Sequence, residues 1–258
     1  MHPLQRRFLD VSAVVAALEG RADDPEALAL REAVTADDGL EPRVLAAGVG
    51  QLSNELQQRL VVASTKAATA RLLVEPATAA RAQAALDGVM AAGANRHEAL
   101  GLLQHAVLDE SFGWAEDPGE FDAGFLLETL DGLPALARLD TEAVETHVDA
   151  FVKQADPKAR PLRLAIADAL LEAAWADGPL PIAAEHVDDA MDVLAGSVAS
   201  QELERAGATL VELLSFLSQR GLLGPMRLAR LTDVTRAAAK APAIDDAEEP
   251  EDDPDDEP

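Results

Sequence analysis

The sequence predicts an all-α protein of about eleven to twelve antiparallel helices, as a compact multi-helix bundle or a short stack of helical hairpins resembling a solenoid. Three observations carry that expectation. Hydrophobic residues make up 48% of the chain, but aromatics only 3%, with no tyrosine. A core of Leu, Ala and Val suits close-set helices, whereas strands favour β-branched and aromatic side chains. Apolar residues recur at helical spacing, and Pro and Gly fall where helices should begin and end.

The periodicity is clearest late in the chain. Between Gln201 and Arg220, Leu203, Ala206, Leu210, Leu213, Leu214 and Leu217 form one face of a 3.6-residue helix. Leu45, Val49, Leu52, Leu56 and Leu60 make a similar seam earlier. Pro25, Pro42, Pro76 and Pro161 each suit a first helical turn, where the missing N–H costs nothing. Asp140 or Thr141 can cap the acidic turn that follows. Gly20, Gly93, Gly178 and Gly221 sit where helices should stop.

Taken in order, the predicted helices cover 4–19, 25–36, 42–73, 77–92, 95–110, 120–131, 134–139, 141–154, 160–177, 182–196, 200–219 and 224–239. The third has a candidate break at Gly48 and Gly50. Connections this short make consecutive helices antiparallel neighbours. Residues 1–240 are expected to form the helical domain, with a candidate meeting of two lobes near 111–120. Residues 241–258 differ in kind: acidic residues alternate with Pro250, Pro254 and Pro258, and apolar residues nearly vanish. Such a segment cannot bury enough surface to offset its ordering entropy, so a disordered acidic tail is expected.

Charge narrows the function. The net charge is −26, and ten acidic groups lie between Asp245 and Glu257, which leaves −16 for the body. A body of that sign repels phosphate backbones and anionic membranes, so neither direct nucleic-acid binding nor a membrane partner is expected. A basic protein partner is what the field allows. No apolar run approaches the roughly 20 residues of a membrane span. Arg6-Arg7-Phe8-Leu9 has the look of an export signal, but the apolar run Val11 to Leu18 is short and bounded by Asp10 and Glu19. An amphipathic first helix and a cytoplasmic location are therefore expected, in keeping with the absence of cysteine.

Chemistry finds little foothold. Without cysteine, thiolate catalysis and Cys-ligated metals are excluded. His97-Glu98 begins a zincin-like pattern, but Gly101 stands where the second His is needed. Around His147, Glu142 and Glu145 miss the Glu-x-x-His spacing of di-metal bundles. Glu185, His186 and Asp189 are the best metal candidates, with His186 and Asp189 on one face at i, i+3. The two tryptophans open similar acidic turns, Trp114-Ala-Glu-Asp-Pro and Trp175-Ala-Asp-Gly-Pro. The second fails the calcium-loop spacing, because Pro179 and Pro181 occupy its third and fifth positions. Ala176-Asp177-Gly178, Leu180 and Glu185 resemble the helix–acidic-turn–helix of tellurite-resistance-type helical domains. Glu185 comes later than that pattern requires and Pro179 and Pro181 depart from it, so no metal role is carried across. Both Trp stretches read as helix C-termini anchored by the indole.

No nucleophile motif or phosphate loop is present, and no cofactor is expected. Gly221 to Pro225 joins two apolar helices into a hairpin, with Arg220, Arg227, Arg230 and Arg236 expected to pair with the acidic surface. The favoured function is a non-enzymatic cytoplasmic adaptor, inhibitor or chaperone that engages a basic protein through an acidic helical surface. In the tail, Asp245, Asp246, Glu248, Glu249, Glu251, Asp252 and Asp253 are candidate partner contacts. A metal- or small-ligand-responsive helical domain and a nucleic-acid-mimicking inhibitor of a DNA-binding protein are the alternatives.

Overall fold

A computed structural model describes residues 11–37, 39–47, 53–116, 123–176, 178–197 and 200–240. Twelve helices and no strand occur among them. They are α1 (Val11–Leu18), α2 (Pro25–Ala36), α3 (Leu40–Ala47), α4 (Asn54–Leu72), α5 (Ala79–Ala91) and α6 (Arg96–Glu116), followed by α7 (Ala123–Leu136), α8 (Thr141–Lys153), α9 (Arg160–Trp175), α10 (Ala184–Ser197), α11 (Ser200–Gln219) and α12 (Pro225–Ala238). Among the described residues, no helix is long and apolar enough to cross a membrane.

Most of the punctuation acts as the sequence implies, but Pro76 lies in a turn three residues before α5 rather than in a first helical turn. Asp24 caps α2 by accepting the Ala27 N–H, and Asp140, rather than Thr141, caps α8 by accepting that of Ala143. Pro25 and Pro225 start α2 and α12, and Pro161 lies in the first turn of α9. Gly20, Gly93, Gly178 and Gly221 all take positive φ just beyond helix ends, a region that costs other residues steric strain.

The stretch 42–73 is two helices, α3 and α4, as its candidate break at Gly48 and Gly50 allows, and residues 48–52 between them lie outside the described residues. Two expectations change. The helix over 95–110 runs on to Glu116 as α6. The helices over 120–131 and 134–139 are one element, α7, with Pro134 inside it. Pro134 loses its N–H bond so close to the C-terminus that only the last turn is affected. Its ring fills the space above Gly88 of α5, where an added Cβ would lie 2.6 Å from Pro134 Cγ.

The apolar core divides along α4. Ala63 and Ala67 close a cluster with Val14, Leu30, Val34, Leu40, Val44 and Leu60, drawn from α1 to α4. Ala68 and Leu72, at the other end of α4, join the larger core that runs through α5, α6 and α7 into α9–α12. The buried hydroxyls of Thr65 and Thr69 donate to the carbonyls of Val61 and Thr65, so α4 buries them at little cost. The predicted acidic tail, 241–258, and its candidate partner contacts lie outside the described residues.

Candidate functional site

Helix α8 forms one wall of a surface groove. Its only buried residue is Phe151, whose ring lies 5.6 Å from Phe216 of α11. His147, one turn earlier, meets Phe216 edge-on at 6.5 Å. Burial, with help from the Arg220 guanidinium, holds the His147 imidazole below its ordinary pKa. Arg163 of α9 donates to the Phe151 carbonyl at 2.8 Å and stacks on the Phe151 ring at 4.5 Å. These contacts fix one side of α8 and leave its Val144 and Val148 edge partly open.

That open edge and α9 together form a groove of about 780 Å³. Val144, Val148, Leu164 and Leu171 make its apolar seam. Leu164 is the most open of the four at 45% exposed, whereas Leu171 is 8% exposed. Glu142, Glu145 and Asp149 line the α8 side, and Asp168 and Glu172 the α9 side. All five carboxylates are exposed. Their spacings, i, i+3, i+7 on α8 and i, i+4 on α9, place each set in a row along one helix edge. Asp149 pairs with Lys153 at 2.6 Å. Among the described residues, no cation pairs with Glu142, Glu145, Asp168 or Glu172. The groove is therefore an apolar strip between two negatively charged rims.

Of the three metal candidates, His186 is engaged in starting its own helix. His186 is the third residue of α10, and its Nδ1 accepts the Ala183 N–H at 3.0 Å. That is the backward half of a capping box, with imidazole in place of the usual Glu or Gln. Its Nε2 lies 3.9 Å from Glu185, while Asp189 is exposed. Among the described residues, no three His, Asp or Glu side chains are grouped so as to hold a metal ion. Trp175 ends α9 as the sequence implies: it is 8% exposed, and its indole N–H donates to the Leu180 carbonyl at 2.8 Å. Trp114 lies in the last turn of α6, with its side chain outside the description.

The arginines expected at the surface divide. Arg236 pairs with Asp233 at 3.6 Å, and Arg220 stacks on Phe216 at 5.0 Å. Arg227 instead turns inward and is 4% exposed. It donates to the Ile182 carbonyl at 2.6 Å and to the Thr129 hydroxyl at 2.9 Å. Its guanidinium lies 4.6 Å from the Phe125 centroid, and that of Arg230 lies 5.1 Å from the same ring. A buried cation needs its donors satisfied, and α7 and the lead-in to α10 supply acceptors here.

The groove carboxylates Glu142 and Glu145 were visible in the sequence only as a failed metal spacing. The available signal was the stripe Val144, Val148, Phe151 and Val152 with acidic residues along one edge, but it needed a second acidic edge from α9 to mean anything. The chain matches no protein-family model, and comparisons with curated proteins and with solved structures give no match either.

Proposed function

We propose that the chain is a non-enzymatic, cytoplasmic protein-binding module, an adaptor, inhibitor or chaperone, that engages a positively charged partner through its acidic helical surface. The observation that supports this reading is the α8–α9 groove, a partly open apolar seam flanked by carboxylates of which four have no cation partner among the described residues. Apolar area supplies affinity when covered, and unneutralised rims select the sign of what covers it and speed its approach. The net charge of −26 adds long-range attraction for a basic protein.

The test is affinity capture from native lysate at low and high salt, comparing the wild-type chain with Glu145→Gln/Asp168→Asn/Glu172→Gln. A basic protein held by the wild type at low salt, and lost both at high salt and with the variant, is the expected result. Recovery of no partner, or of one indifferent to salt and to the three substitutions, removes the reading.

A further inference from the structure

We infer that the α8–α9 groove accepts a basic amphipathic α-helical segment of a partner protein, with about two helical turns lying along the apolar seam. This rests on the protein-binding reading above and names the occupant of that surface. The length follows from the rim: Glu142 to Asp149 spans seven residues, roughly 10 Å of helix at 1.5 Å per residue. A helix two turns long projects residues i, i+3, i+4 and i+7 from one face, enough to meet Val144, Val148, Leu164 and Leu171.

Helical form follows from the walls. Both sides of the groove are α-helices, and Val144, Val148, Leu164 and Leu171 along its seam lie where the backbone N–H groups are bonded along the helix. An extended peptide would find no edge strand there and would set its own N–H and C=O groups against valine and leucine. A helical occupant satisfies its backbone internally and presents only side chains. Charge complementarity sets the rest. Lys or Arg flanking the apolar face on both sides would meet Glu142 and Glu145 on one rim and Asp168 and Glu172 on the other. Nucleic acid and anionic lipid carry the wrong sign.

The experiment uses two labelled synthetic peptides of equal composition, titrated into the full chain by fluorescence anisotropy. One carries Leu at i, i+3, i+4 and i+7 with Lys on both flanks, and the other has the same residues permuted so that no apolar face forms. The first is expected to bind at least about tenfold more tightly than the second. The decisive variant is Leu164→Asp. It alters an exposed position and adds a negative charge, so attraction by charge alone predicts tighter binding, whereas seating on the seam predicts binding weakened about tenfold. Glu145→Gln/Asp168→Asn should weaken binding and flatten its salt dependence. Equal binding of both peptides, or tighter binding to Leu164→Asp, overturns the helical occupant and leaves the acidic-surface reading standing. Binding of neither peptide overturns both. Self-association in sedimentation that Leu164→Asp abolishes would make a second copy the occupant, and also overturns the inference.

Discussion

At the residue scale, the sharpest constraints fall on glycines that admit another side chain. A Cβ at Gly88 would lie 2.6 Å from Pro134 Cγ, and one at Gly224 would lie 2.1 Å from Glu128 Cδ. At Gly101 and Gly132, inside α6 and α7, a Cβ would meet nothing within 4 Å. Gly88→Ala should therefore cost roughly 1–3 kcal/mol by overpacking a rigid ring. Gly101→Ala should stabilise by about 0.5–1 kcal/mol through helix propensity and unfolded-state entropy. Urea denaturation of both variants checks the pair, and equal effects would refute the close packing of α5 on α7. His147 adds a dependence on pH. Its folded-state pKa is lowered below the ordinary 6.5, because burial and Arg220 disfavour the imidazolium. Below 6.5 the unfolded chain takes up a proton that the folded chain resists, so stability is full above that value and falls as pH drops through it. His147→Gln should flatten the decline of stability between neutral pH and the carboxylate range, as measured by denaturant midpoints across pH. A slope unchanged by the substitution would mean His147 is not disfavoured as a cation.

At the element scale, α12 shows how distant residues complete a helix. Gly224 at its N-cap has no side chain to offer. Glu128 of α7 fills that role, its carboxylate accepting the Met226 and Arg227 N–H groups at 3.0 Å. A carboxylate there also suits the positive end of the helix dipole. Glu128→Ala should cost about 1–2 kcal/mol and loosen the first turn of α12, read as faster amide exchange at Met226 and Arg227. An unchanged exchange rate there would count against the cap. This is also where the sequence stops being legible. Asp24 and Asp140 cap their own helices three residues on, and the four expected helix-stop glycines do stop helices, because those contacts are local. Glu128 and Arg227 act across nearly a hundred residues, and the α8–α9 groove exists only once two helices lie side by side. Pro134 misleads because its local preference is to break a helix, yet it lies so near the end of α7 that only the last turn is affected, and its ring packs on Gly88 of α5.

At the scale of the whole molecule, the division of the core along α4 predicts two levels of stability within one chain. Among the described residues, the cluster from α1 to α4 joins eleven buried apolar residues, against thirty-six in the core that runs from the end of α4 to α12. Several of the eleven are alanines, so less apolar area holds α1–α3 in place and their opening should need less free energy than global unfolding. Helix α4 belongs to both clusters, which makes Leu60 a selective probe: it is 4% exposed and packs only into the smaller one. Leu60→Ala should remove about 2–4 kcal/mol from the smaller cluster through lost burial and the cavity left behind. In native-state hydrogen exchange, amides of α1, α2 and α3 should lose protection, while those of α9, α10 and α11 keep theirs. The groove between α8 and α9 lies in the larger core, so the peptide affinity expected of it should survive Leu60→Ala unchanged. Loss of protection spread evenly from α1 to α12 would show a single cooperative unit, in which α4 transmits the cavity at Leu60 to the groove and peptide binding weakens with it.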